Sequence, residues 1–235
     1  MNLSAVTISS NYSDFLAWSL PSAKTVFDRL VVVTSHDDKE TQKVCAYYYV
    51  ECLPTDIMTK DGNFNKGLGI NLGIDYLGAK DWLCHFDSDI IFSPRFNDFI
   101  RCKKLDTDCI YGIDRLEINS WEQWINFITS PKSQYYPGCV FPTHPVMYRF
   151  MEGMDYSPIG YFQLWNVNSK FAGKYPTIYN NAADSDIKFA SMWPSNKRIL
   201  IPELFLYHLS TEGDNKVIGS NWNGRKTKRF GPEGV

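Results

Sequence analysis

The sequence has no excess of either charge: 24 Lys and Arg stand against 26 Asp and Glu, so nothing draws the whole chain toward nucleic acid or an anionic membrane surface. It has no C-x-x-C pair. Its six cysteines, Cys45, Cys52, Cys84, Cys102, Cys109 and Cys139, share no repeated short spacing, which speaks against a zinc ribbon and against a secreted disulfide framework. They read as the reduced thiols of a cytosol. No run approaches the roughly 20 apolar residues of a membrane helix, and the opening MNLSAVTISSNYSDF lacks a basic stretch followed by an apolar core. The expectation is a cytoplasmic chain without an integral membrane segment. Repeats, low-complexity tracts and Gly/Ser linkers are also missing, so residues 1–235 are expected to form one domain.

What is present is enough for a substantial core: 235 residues, 44% hydrophobic and 15% aromatic. Leu3 to Ser9 reads as a first strand followed by the polar turn Ser9 to Asp14, and Phe15 to Phe27 carries apolar residues at helical spacing. Leu30 to Val33 is a second buried strand that ends in Thr34-Ser35-His36-Asp37-Asp38. A third strand is expected at Cys45 to Val50. Phe64, Leu68 and Leu72, with Ile70, Ile74 and Leu77, mark a helix face, and Trp82 to Phe86 is a further buried strand. Strands alternating with helices predict an α/β fold, a mostly parallel sheet flanked by helices. In the second half, Ile159 to Val167 and Ile199 to Leu206 read as strands and Ser185 to Met192 as a short helix.

Asp87-Ser88-Asp89 directly follows the apolar strand ending at Phe86, at the strand end where open α/β sheets bind ligands. Two carboxylates there attract a hard divalent cation, Mn²⁺ or Mg²⁺, able to offset the charge of a departing diphosphate. The glycines of the preceding helix, Gly67, Gly69 and Gly73, are spaced G-x-G-x-x-x-G inside a helix. That spacing and place do not fit a dinucleotide fingerprint.

The segment Phe64-Asn65-Lys66-Gly67-Leu68-Gly69-Ile70-Asn71-Leu72-Gly73-Ile74, followed by Asp81 to Asp89, resembles the donor half of GT-A glycosyltransferases, whose nucleotide-sugar-binding sheet is Rossmann-like. The likeness is to the family 2 type, with some to the β-1,4-galactosyltransferases, and it divides the domain into a donor half, 1–94, and an acceptor half with a closing C-terminal segment, 95–235. It implies that Ser9, Ser10 and Asn11 edge the nucleotide pocket and that Asp37 or Asp38 accepts a hydrogen bond from the base. It places Asn65 and Lys66 along the ribose and diphosphate, Asp87 at the ribose or a metal-bound water, and Asp89 on the metal. Ala183-Asp184-Ser185-Asp186-Ile187 resembles the acidic motif that opens a helix in inverting members, which makes Asp184 or Asp186 the catalytic base. Gly160 to Trp165 resembles the strand that floors the acceptor site. His208 resembles a third metal contact, and Trp222 and Arg225, in a run with Lys226, Lys228 and Arg229, resemble a loop that closes over the donor.

The implied activity is a metal-dependent, inverting transfer from a nucleoside-diphosphate sugar, a UDP-sugar first among them, to an acceptor hydroxyl on a saccharide. Such an enzyme belongs in the cytoplasm of a bacterium or of a virus-infected cell. The basic run near the C-terminus leaves open a phage-type enzyme that glycosylates a hydroxymethylated DNA base. A nucleotidyltransferase would place a Gly-rich, basic loop after the first strand, where this chain has Ser9 to Asp14. A non-catalytic carbohydrate- or nucleotide-binding module is the alternative of another class.

Overall fold

The structure, a computed structural model, describes residues 1–129, 147–211, 225 and 227–232. In chain order the elements are β1 (Leu3–Ile8), α1 (Ser13–Val26), β2 (Arg29–Thr34), α2 (Lys39–Tyr48), β3 (Glu51–Pro54), β4 (Thr59–Lys60), β5 (Asn63–Phe64), α3 (Lys66–Leu77), β6 (Trp82–His85) and β7 (Ile90–Phe92). There follow α4 (Phe96–Cys102), β8 (Ile110–Ile118), α5 (Trp121–Thr129), β9 (Met147–Tyr148), β10 (Met151–Glu152), β11 (Asp155–Tyr156), β12 (Gln163–Asn166), α6 (Ala182–Ala190), a 3₁₀ turn (Ser195–Lys197) and β13 (Arg198–Leu209).

Nine strands form one sheet in the order β3-β2-β1-β6-β12-β8-β13-β7, with β9 on β8. β3, β2, β1 and β6 pair in parallel, and β12 runs against both β6 and β8. β13 is parallel to β8, so both point the same way as β6, while β7 and β9 are reversed. The sheet is therefore mostly parallel in direction. Its early strands are continuous apolar runs because helices cover both faces. Leu3 and Ala5 of β1, with Leu30 and Val32 of β2, join the core under α1, α2 and α4; Val6, Ile8, Val31 and Val33 join the core under α3 and α6.

Three sequence expectations change. Residues 45–50 are the end of helix α2 and its exit rather than a strand. Asp38 caps the helix by accepting from the Thr41 N–H at 3.1 Å, and Tyr49 ends it in the left-handed region, so the strand starts only at Glu51. The strand expected over 159–167 shrinks to β12. Its aromatic face is engaged in the core: Trp165 packs on Phe189 with ring centroids 4.7 Å apart, and Tyr161 and Phe162 are buried, so this strand offers no open acceptor floor. Helix α6 starts earlier than expected, where Asn181 caps it by accepting from the Asp184 N–H.

Helix α3 explains its own glycines. A Cβ on Gly73 would stand 2.3 Å from Val6 Cγ2, so glycine lets the helix lie against β1. Close packing of helix on strand, not phosphate binding, is what this residue serves. Among the described residues no helix is long and apolar enough to cross a membrane.

Candidate active site

Helix α3 and the loop after β6 meet at the C-terminal edge of the parallel strands. Asn65 caps α3 through Oδ1, which accepts from the Leu68 N–H at 3.1 Å, and this fixes the next residue, Lys66, at the helix start. The Lys66 ammonium donates to Asp87 Oδ1 at 2.7 Å and to Asp186 Oδ2 at 3.1 Å, joining α3, the β6 loop and α6 at one atom. Lys66 and Asp186 are mostly buried, each with 8% of its side chain exposed, while Asp87 at 35% is more open to solvent. Gly160 makes room for the pair: a Cβ there would lie 2.0 Å from Asp186 Oδ2 and 2.5 Å from Lys66 Nζ.

The charges separate the two carboxylates. Burial would raise the Asp87 pKa, but Lys66 and His85 outweigh it and bring it down to about 2. For Asp186 burial prevails over the pull of Lys66, and neighbouring Asp87 adds to it, leaving a pKa of about 6. Burial alone would lower the Lys66 pKa, yet Asp186 and Asp87 raise it, so the cation is permanent. His85 lies beneath. Its Nδ1 is 3.1 Å from the Val6 carbonyl, which can only accept, so Nδ1 carries the hydrogen and Nε2 holds a lone pair. Among the described residues Nε2 is buried without a hydrogen-bond partner, 3.8 Å from Asp87 Oδ1. Burial and then Lys66 bring this imidazole down to about 3, so it is neutral.

A second cluster stands beside the first. Antiparallel pairing of β13 with β7 and parallel pairing with β8 set His208 opposite both Ile90 and Glu117, and the Leu209 N–H donates to the Asp89 carbonyl at 2.9 Å. His208 Nε2 lies 3.5 Å from Asp89 Oδ2, and its Nδ1 lies 2.5 Å from Glu117 Oε2. Glu117 in turn accepts from Arg115 Nε at 2.6 Å, and the Arg115 guanidinium stacks on the Tyr161 ring. Burial would depress the His208 pKa, but Asp89 and Glu117 overcome it and raise it to about 9.

As a metal site this arrangement differs from the expected set of Asp87, Asp89 and His208. Among the described residues no three His, Cys, Asp or Glu side chains converge to hold an ion, because Asp87 is turned to Lys66. Asp89 and His208 nevertheless fit one once His208 gives up its Nε2 proton: among the described residues Asp89 Oδ1 is buried with no hydrogen-bond partner, and a carboxylate with a neutral imidazole suits Mn²⁺. One or two protein ligands also suit a divalent ion that takes its remaining ligands from phosphate and water.

The other predicted residues fall into place unevenly. Ser9, Ser10 and Asn11 follow β1 as expected, and the Asn11 N–H donates to Asp38 Oδ2 at 2.7 Å. Asp38 also takes hydrogen bonds from Thr34, the Thr41 hydroxyl and the Thr41 N–H, so its carboxylate is occupied in holding two loops and a helix cap. Asp37 is exposed. Asp184 is half-exposed in the first turn of α6, and no hydrogen bond or ion pair engages its carboxylate among the described residues. Arg225 is a correction: both of its terminal nitrogens bind Asp14, at 2.7 and 2.8 Å, and the guanidinium lies over Tyr12 and Phe15. As placed it anchors the C-terminal segment to α1 rather than meeting a phosphate. Trp222 lies outside the described residues.

Sequence reading missed Arg115, Glu117, Gln163, Tyr175 and His85. Only Arg115 and Glu117 left a signal, as charged residues alternating with Leu116 and Ile118 at the end of β8. A separate apolar cavity of about 610 Å³, lined by Trp18, Pro21, Ile91 and Trp124 among others, lies between α1 and α5 and shares none of these side chains.

No protein-family model matches the sequence, and no curated protein matches it significantly. Solved structures do. Glucosyl-3-phosphoglycerate synthase from Mycobacterium tuberculosis, in complex with Mn²⁺, UDP and glucosyl-3-phosphoglycerate, superimposes with a TM-score of 0.54 at 11% identity, over 88% of this chain and 71% of that one. The same enzyme with Mn²⁺, UDP-glucose and glycerol 3-phosphate gives 0.52 at 11% identity, over 88% and 72%. Mannosyl-3-phosphoglycerate synthase from Rubrobacter xylanophilus matches at 16% identity with a TM-score of 0.40 over 49% of this chain; this chain spans 40% of that enzyme's length. None of the three is a β-1,4-galactosyltransferase. The fold of this chain is thus the α/β arrangement of GT-A glycosyltransferases, with a mostly parallel, helix-flanked sheet.

Proposed function

We propose that the protein transfers a sugar from a nucleoside-diphosphate sugar, with UDP as the carrier, to a hydroxyl of a saccharide acceptor, residues 1–94 serving the donor and the rest the acceptor. The observation that carries this reading is the Lys66 ammonium, buried and fixed by the carboxylates of Asp87 and Asp186, with Asp89, two residues after Asp87, keeping an oxygen that has no hydrogen-bond partner among the described residues. Lysine has three hydrogens to donate, and the two carboxylates take two of them, which leaves one for a diphosphate oxygen. Preorganised cations aimed at a leaving group are the main means by which a protein lowers the barrier to such a transfer.

A divalent ion held by Asp89 and His208 would supply further positive charge for the diphosphate. Asp87, ionised and partly open, is suited to the ribose hydroxyls. Asp184 is the proposed base. Among the described residues no hydrogen bond or ion pair engages its carboxylate, and it is half-exposed to the solvent from which an acceptor must come. Asp186 has both oxygens engaged and its side chain mostly buried, so it serves Lys66 instead. Attack by an acceptor deprotonated at Asp184 is a single displacement and inverts the anomeric carbon. Incubation with a panel of nucleotide sugars and Mn²⁺ tests this reading: release of UDP from one UDP-sugar, stimulated by a saccharide acceptor, is expected. Absence of release from every donor sugar would contradict it.

A further inference from the structure

Behind Asp186 lies a chain of hydrogen bonds whose protons can be counted. Gln163, fully buried on β12, donates from Nε2 to the Pro158 carbonyl and to the Asp186 carbonyl, each at 2.9 Å. Both amide hydrogens are therefore committed, and Oε1 can only accept. The Tyr175 hydroxyl stands 2.7 Å from that Oε1 and also in hydrogen-bond contact with Asp186 Oδ1. Tyr175 cannot swing away, because Asn71 clamps its backbone on both sides: Nδ2 donates to the Tyr175 carbonyl and Oδ1 accepts from its N–H, each at 2.8 Å. A phenol has one proton to give. With Asp186 ionised, that proton faces two acceptors and must leave one unsatisfied. With a proton on Asp186 Oδ1, every group is paired: the acid donates to the Tyr175 oxygen, and Tyr175 donates to Gln163. A buried acceptor left unpaired is the expensive alternative.

The charges around the site are mixed: Asp87 favours a proton on Asp186 and Lys66 opposes it. The groups that face Asp186 are Lys66 from α3, Asp87 from the β6 loop and Tyr175, with His85 of β6 edge-on to the Tyr175 ring and neutral. Lys66 with both carboxylates ionised carries a net charge of minus one, so an arriving diphosphate favours the protonated form of Asp186. One proton on Asp186 brings that charge to zero. Resting on the reading of this crevice as a diphosphate site, we propose that donor binding is coupled to the uptake of one proton by Asp186, and that Tyr175 and Gln163 are positioning residues whose hydrogen-bond chain receives that proton. The proton comes from solvent and stays on Oδ1; no other bond is made or broken. The tuned pKa of about 6 means that Asp186 is mostly ionised at neutral pH and ready to change state when an anion arrives.

Two measurements on the full chain test it. In the first, UDP-glucose, which has no phosphate titrating near pH 7, is titrated calorimetrically at pH 7 with Mn²⁺ in two buffers of different ionisation enthalpy. The heats are expected to differ by the equivalent of about 0.5 to 1 proton taken up per ligand bound, and Asp186→Asn is expected to bind with no uptake. Binding with no uptake in the wild type, or the same uptake in the variant, overturns the coupling while leaving the donor site standing. A complete absence of heat at any concentration overturns both. The second measurement needs no ligand: carboxyl-carbon NMR follows Asp186 through its titration in the wild type and in Tyr175→Phe. Loss of the receiving oxygen is expected to weaken proton affinity about tenfold, the worth of one hydrogen bond. Stronger proton affinity in the variant would mean that Tyr175 donates to the carboxylate, and unchanged affinity that it does not matter; either result refutes the chain.

Discussion

Lys66→Met is expected to cut sugar transfer by about 10² to 10³ and to lower the stability of the fold by about 3 kcal/mol. The first figure is what one preorganised donor to a developing charge is worth when removed. The second is the low end for breaking a buried ion pair of this kind. It falls at the low end because Asp87 is open enough to be hydrated and because Asp186, relieved of Lys66, can take up a proton. A paired change separates the two effects. Replacing Lys66 and Asp186 together with Met and Leu removes both members of the buried pair, and such replacements are often neutral for stability. The double variant is expected to melt close to the wild type and to remain as inactive as Lys66→Met. Recovery of activity along with stability would show Lys66 to be a structural cation only. Melting curves and initial rates on the three proteins decide between these outcomes.

Asp184→Asn is expected to lower turnover by about 10² to 10⁴, the range for losing a positioned base, with donor affinity and melting temperature unchanged. The change is clean because no hydrogen bond or ion pair ties the carboxylate to the described fold, while the Asp184 backbone N–H, which caps α6 through Asn181, is kept. Asp186→Asn should behave differently: it loosens Lys66, so donor affinity changes with turnover. If Asp184→Asn kept full activity and Asp186→Asn lost it with donor affinity intact, the two roles would have to be exchanged.

Much of this was legible before any coordinates. The continuous apolar runs of β1, β2 and β6 announce strands buried on both faces, and the polar Asp87-Ser88-Asp89 after Phe86 announces a loop at the C-terminal end of a parallel strand. Both follow from local pattern. What stayed hidden depends on distant partners. Nothing near Arg225 in sequence says that Asp14, 211 positions earlier, will claim it. The four hydrogen bonds on Asp38 come from β1, β2 and α2 together, so an acidic residue after a strand looks equally suited to a base or a cap until the loops are seen. The choice between Asp184 and Asp186 turns on Lys66 and Tyr175, which lie on other elements. Cys45 to Val50 misled because Val44, Cys45 and Tyr48 meet the core at helical spacing, while the β-branched and aromatic residues among them suggest a strand.

The crevice between α3 and the β6 loop is proposed to hold a nucleoside diphosphate against Lys66, with a divalent ion on Asp89 and His208. Thermal melting with UDP in the presence and absence of Mn²⁺, on the wild type and Asp89→Asn, tests it most directly. Saturating UDP with Mn²⁺ should raise the wild-type melting temperature by about 5 to 10 °C, with little shift when metal is withheld and little in the variant. An equal shift without metal, or one that survives Asp89→Asn, would contradict the account.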